Sequence, residues 1–151
     1  MLRLYTDGSY SDATGVGSWA WLLADGEGHS VGSGAVGEGT THQRMELTAA
    51  IEGLAAVPEG SVVELVSDCT YLVDAMSRGY PERWRDRGWS SLGHNRPIAH
   101  RDLWQALAEL SARRRVRFTW VKAHSGQAAD PWNVMADHVA KTARRLGEAA
   151  A

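Results

Sequence analysis

The chain has 151 residues, a formal net charge of −2, 44% hydrophobic and 23% charged residues, and a single cysteine, Cys69. That length suits one domain able to bury a core without staples, and one thiol excludes both an intrachain disulfide and a multi-thiolate metal site. No apolar run is long enough to span a bilayer and Met1-Leu2-Arg3 leads straight into a strand pattern rather than a signal peptide, so a cytoplasmic protein without membrane attachment is expected.

Leu2 to Tyr10 alternates, with Leu2, Leu4 and Thr6 on one face and Arg3, Tyr5 and Asp7 on the other, as a half-buried strand would. Val16 to Ala24 and Ser30 to Val36 flank the turn signal Asp25-Gly26-Glu27-Gly28, which predicts a three-stranded antiparallel start. Thr40-Thr41-His42-Gln43 then fits a capping box, with Thr40 as cap and Gln43 in the reciprocal position. Leu47, Ala50, Ile51, Leu54 and Val57 continue at helical spacing over Met45 to Val57. Glu46 lies beyond the first turn of this helix, where a cap has no use for it. Its neighbours on the same strip are Ala49, Ala50 and Gly53, small enough for another backbone to approach, so Glu46 is expected to face protein.

"SVVELVSD" reads as a strand covered on both faces and ending at Asp68, and a second helix is expected over about Thr70 to Ser77. "RGYPERWRDRGWSSLGHNRP" has no clean period and reads as a basic protrusion over about 79–100. There Arg78, Arg83, Arg85, Arg87, Arg96 and Arg101 outweigh Glu82 and Asp86, and Tyr80, Trp84 and Trp89 stand among them. Arg113, Arg114, Arg115, Arg117 and Lys122 form a second basic cluster; either cluster suits a phosphate backbone or a merely solvated face. Leu103, Leu107 and Leu110 predict a third helix, and Val116, Phe118 and Trp120 a fifth strand, with Trp104 and Trp120 assigned to the core. Asp130-Pro131 opens a final helix that is expected to fray at 147–151. The predicted order is βββαβααβα, an α/β fold in one domain over 1–151 with no internal repeat.

Asp7, Glu46, Asp68 and Asp137 each have an ordinary reading. Asp7 suits a turn before Gly8, Glu46 the helix dipole, Asp68 a helix cap, and Asp137 an i, i+4 pair with Lys141. Together they suggest one site, because ligands in open α/β sheets favour the carboxyl ends of strands, where Asp68 must lie. Carboxylates about 4 Å apart repel by roughly 4 kcal/mol at an effective dielectric near 20, so a cluster of them calls for cations. Hard oxygen donors without thiols fit Mg²⁺, with Mn²⁺ as a substitute, and a pair of such ions suits in-line phosphodiester hydrolysis. His124, in the loop "VKAHSGQ", is either an exposed loop residue or a proton-transfer group beside that site.

The ordered blocks "YTDGSY", "RMELTAA", "VSDCTYLV", "WVKAHSG" and "NVMADHVAK" resemble the successive motifs of bacterial type 1 ribonuclease H, from about Leu2 to Arg145. The resemblance implies the ribonuclease H-like fold, a five-stranded mixed sheet flanked by helices. It also implies hydrolysis of the RNA strand of RNA/DNA hybrids, leaving 5′-phosphate and 3′-hydroxyl ends. By that resemblance the metal ligands are Asp7, Glu46, Asp68 and Asp137, holding two Mg²⁺ during catalysis, and His124 matches a histidine that assists product release or proton transfer. The protrusion with Trp84, Arg85, Arg87 and Trp89 is expected to grip the DNA strand, with further hybrid contacts at His42, Gln43, Arg44, Tyr71 and Asn133, in a monomeric enzyme. The sequence departs from the family where "SDATGVGS" lacks an asparagine, where His42-Gln43 replaces a pair of asparagines, and where "GQAADPWN" is longer than usual with Ala123 in place of a glycine.

Overall fold

A computed structural model describes residues 1–91, 96–123 and 130–150. The strands β1 (Leu2–Tyr10), β2 (Gly17–Ala24), β3 (His29–Val36), β4 (Val62–Ser67) and β5 (Arg115–Trp120) form one sheet in the order β3-β2-β1-β4-β5. The hairpins β1-β2 and β2-β3 are antiparallel, whereas β4 joins β1 and β5 in parallel, so the sheet is mixed as expected. In the β2-β3 turn, the Asp25 carboxylate accepts from the Glu27 and Gly28 N–H groups at 2.9 Å each, and Gly26 takes the left-handed backbone that the turn requires.

The helices are α1 (His42–Ala55), α2 (Thr70–Ser77), α3 (Tyr80–Asp86), α4 (Arg101–Ala112) and α5 (Pro131–Ala150). Two apolar clusters lie on the two sides of the sheet. Leu4 joins Leu47, Leu54, Leu65, Trp104 and Leu107 under α1 and α4, while its chain neighbour Tyr5 joins Leu22, Val66 and Ala136 of α5. Because successive residues of a strand point to opposite faces, covering both Leu4 and Tyr5 buries β1 on both sides.

Several expectations are corrected. β1 is not half-buried: Leu4 through Ser9 are all buried, since helices cover both faces. The cap of α1 is Thr41 rather than Thr40; its hydroxyl accepts from the Arg44 N–H at 3.1 Å, which leaves Gln43 outside any capping box. The order is βββαβαααβα rather than βββαβααβα, because the protrusion contains α3. Gly79, in the left-handed region, and Pro81 start this short helix, whose seven residues span only about two turns, too few to show a period. Trp120 is 48% exposed at the end of the edge strand β5 rather than in the core, its indole N–H donating to the Asp68 carbonyl at 3.1 Å. The end of α5 is helical to Ala150 rather than frayed from 147: Gly147 packs against β3, where an added Cβ would sit 2.7 Å from that of Ala35.

Candidate active site

The carboxyl end of β4 and the middle of β1 meet beneath the first turns of α1. Asp7 from β1 and Glu46 from α1 are 3% and 2% exposed, and Asp68 follows β4 directly. One carboxylate oxygen from each of these three lies within 4.8 Å of the others. What brings Glu46 in is Gly8, whose lack of a side chain lets β1 run against the backbone of α1. Glu46 therefore faces protein, as its small helical neighbours imply, with Ala49 and Ala50 wholly buried.

Asp137 stands beside the trio on α5. It shares a hydrogen bond with Asp7, and Lys141 Nζ lies 3.1 Å from its Oδ2, so the ordinary i, i+4 pair and the clustered position occur together. A pocket of about 370 Å³ is lined by all four carboxylates, with His42, Lys141 and Arg144 also on its wall. Asp137, Lys141 and Arg144 recur at four and three residues along one helical face. That spacing was available in the sequence for Arg144, which was not singled out there.

Electrostatically the site is uncomfortable without cations. Burial, then the neighbouring charges of Glu46 and Asp68, push the Asp7 carboxyl up to about 10. Burial also raises Glu46, against the lowering effect of His42, whose Nε2 lies 3.3 Å from Glu46 Oε1. That contact in turn holds the His42 imidazole above its ordinary value. The other oxygen, Glu46 Oε2, is buried without a hydrogen-bond partner among the described residues. An unpartnered buried carboxylate oxygen facing two more carboxylates is a donor set suited to a hard divalent cation.

The expected hybrid contacts are less uniform. Gln43 is exposed, and its Oε1 lies 3.2 Å from His100 Nε2. Arg44 is engaged by Asp102 through both guanidinium nitrogens, at 3.1 and 2.7 Å. Tyr71 accepts from the Trp104 indole at 3.2 Å, and Trp84 packs on Trp104 with centroids 5.2 Å apart and on Trp89 at 6.3 Å. Trp84 and Trp89 are thus partly buried against the core, while Arg85 and Arg87 are exposed. Asn133 is 1% exposed, and neither its side-chain oxygen nor nitrogen has a partner among the described residues. His124 lies outside the described residues. His100, which joins Gln43 to the base of the protrusion, had no signal in the sequence.

Comparison with known proteins shows the family and the fold. The RNase H family model matches residues 1–145. The chain is 40% identical over 141 residues to ribonuclease H of Syntrophomonas wolfei, covering 93% of each chain. Among solved structures it is similar to LC9-RNase H1, a type 1 RNase H with the type 2 active-site motif. The TM-score is 0.77 at 26% identity, over 95% of this chain and 72% of that one. It also shares its fold with LC11-RNase H1 in complex with an RNA/DNA hybrid, at a TM-score of 0.69 and 18% identity, over 97% of this chain and 99% of that one.

Proposed function

We propose, from the premise that this chain belongs to the ribonuclease H family, that it hydrolyses the RNA strand of RNA/DNA hybrids by a two-metal-ion mechanism, leaving 5′-phosphate and 3′-hydroxyl ends. The family makes it an endoribonuclease that requires divalent metal. The observation that carries the finer reading is the meeting of Asp7, Glu46 and Asp68 within 4.8 Å, with Glu46 Oε2 buried and unpartnered among the described residues.

Asp7, Glu46, Asp68 and Asp137 would hold Mg²⁺, or Mn²⁺ in its place. Bound there, the metal ions supply neutralisation of the carboxylates, activation of water and stabilisation of the leaving oxygen. The rest falls to the chain's own side chains. His42 holds Glu46 Oε1 and so leaves Oε2 for the metal. Lys141 and Arg144 place positive charge on the pocket wall, where the scissile phosphate must come. His124 transfers a proton at the reaction or assists product release. Gln43, with His42, Arg44, Tyr71 and Asn133, would contact the hybrid on this reading, Gln43 on the RNA strand, and Trp84, Arg85, Arg87 and Trp89 would hold the DNA strand. Such a division suits a hybrid, because 2′-hydroxyls are required on one strand and a strand lacking them is preferred on the other. The enzyme acts as a monomer in the cytoplasm on this reading; among the described residues no helix is long and apolar enough to cross a membrane.

The test is a panel of end-labelled RNA/DNA, RNA/RNA and DNA/DNA duplexes, each with Mg²⁺, Mn²⁺ or chelator. Cutting of the RNA in the hybrid alone, only with metal, is expected, and the product ends are identified by whether a kinase or a ligase accepts them. Hybrid left intact in both metals overturns the reading.

A further inference from the structure

We infer that His100 is a positioning residue for Gln43, fixing which end of its side-chain amide is offered to the RNA strand. The inference rests on the reading of Gln43 as a hybrid contact. His100 stands where the protrusion returns to the core, at the N-cap of α4, with φ of 58°. Its backbone is fixed: the carbonyl accepts from the Leu103 and Trp104 N–H groups at 3.0 Å each. Its ring is fixed as well, edge-on to Tyr71 at 90° with centroids 6.4 Å apart.

Both ring nitrogens reach α1. Arg44 Nη1 lies 3.4 Å from Nδ1, and Gln43 Oε1 lies 3.2 Å from Nε2. Asp102 holds the Arg44 guanidinium through two hydrogen bonds, so Arg44 is itself oriented. A guanidinium carries only donors. Nδ1 must therefore accept, and in a neutral imidazole the proton sits on Nε2. Burial and then the charge of Arg44 lower the His100 pKa against the smaller opposing effect of Asp102, which favours that neutral ring.

An Nε2–H next to the Gln43 amide selects its oxygen. Gln43 thus turns Oε1 toward His100 and leaves its NH₂ group to point elsewhere from an exposed position. Without His100 the amide could rotate freely between donor and acceptor ends. With it, the group presented is a pair of donors, which suit acceptor atoms such as a 2′-oxygen or the minor-groove edge of a base. The amide orientation on α1 is in this way set from the base of the protrusion, through Asp102, Arg44 and His100 in turn.

Three single variants, one double variant and one spectrum test this. His100→Asn keeps a residue that tolerates the left-handed backbone but is too short to reach Gln43, whereas His100→Gln carries an N–H about as far as the imidazole does. In hybrid cleavage, Gln43→Ala and His100→Asn should each raise KM by about five- to tenfold, as loss of one neutral hydrogen bond implies, with the change in KM larger than that in kcat. The double variant should be no worse than either single one, and His100→Gln should recover most of the loss. Additive losses, or an unmoved KM in His100→Asn beside a raised one in Gln43→Ala, overturn the inference alone. An unmoved KM in Gln43→Ala overturns the hybrid-contact reading and the inference with it. Nitrogen NMR of the unmodified chain near neutral pH gives a second readout: His100 should show an unprotonated Nδ1 and a protonated Nε2, and any other tautomer overturns the proposal.

Discussion

The backbone of Gly8 runs so close to that of Glu46 that a Cβ at Gly8 would lie 2.6 Å from the Glu46 nitrogen and 2.7 Å from the Met45 carbonyl carbon. Neither atom belongs to a flexible side chain, so Gly8→Ala must push β1 and α1 apart and carry Glu46 away from Asp7. The expected cost is about 1–3 kcal/mol of stability. Because a shift near 1 Å in a catalytic group can cost about a hundredfold, hybrid cleavage should fall more steeply than stability does. Thermal melts and initial rates on one preparation check this; wild-type rates in Gly8→Ala would show that the close approach does not position Glu46.

Asp7 predicts how the metal-free protein responds to pH. Its folded pKa is raised to about 10, so the folded state keeps a proton that the unfolded chain releases above about pH 4. Stability is therefore fully present below that value and falls as pH rises toward 10. Asp7→Asn removes the titration, and in chelator near pH 8 it should be more stable than the parent by on the order of 2 kcal/mol. Urea denaturation at pH 5 and pH 8 measures it, with the gap between variant and parent expected to widen at the higher pH. A gap that narrowed would mean that Asp7 is ionised and paired in the metal-free fold.

How much of this was legible in the sequence differs by residue. Alternation in β1 marks a strand but implies an open face that the helices on both sides of the sheet cover, whereas three-four spacing in α1 follows from the one face that it buries. Glu46 was legible because a charge among Ala49, Ala50 and Gly53 conflicts with that surface. The helix α3 was not, because seven residues, about two turns, carry no measurable period. Trp120 misled for a different reason: alternation places a residue on a face but does not say whether anything covers it, and β5 is at the edge of the sheet. The partners of Gln43 and Arg44 lie at His100 and Asp102, more than fifty residues away, where only the folded chain brings them together.

The protrusion makes a prediction about salt. Arg85 and Arg87 are exposed, whereas Trp84 between Tyr80 and Trp104 is held by aromatic neighbours. If the arginines meet phosphates, replacing both by alanine should weaken hybrid binding and lower the slope of log affinity against log salt by close to one for each lost contact. Trp84→Ala should instead lower stability, by about 1–3 kcal/mol for a partly buried aromatic, with little change in the salt slope. Fluorescence titrations of hybrid in the presence of chelator, at several salt concentrations, separate the two; an unchanged slope in the double arginine variant would remove the protrusion from the binding surface.

Asp68 allows metal binding to be separated from folding. Its backbone carbonyl accepts from the Trp120 indole at 3.1 Å, and its neighbour Ser67 accepts from the Cys69 N–H at 3.0 Å. Neither bond involves the Asp68 carboxylate, so Asp68→Asn keeps the end of β4 in place while removing a charged donor from the trio within 4.8 Å. In the parent chain, Mg²⁺ at a hundred times its dissociation constant should add about 2.7 kcal/mol of stability, a rise in melting temperature of roughly 5–10 °C. In Asp68→Asn the fold should persist, with the metal-induced rise reduced to a small fraction and cleavage of the hybrid lost. Two carboxylates then remain where three met, and their mutual repulsion, the reason for needing a cation, is weaker. The metal-free variant should accordingly melt no lower than the metal-free parent. A full Mg²⁺-induced rise in Asp68→Asn would take Asp68 out of the ligand set, whatever became of the activity.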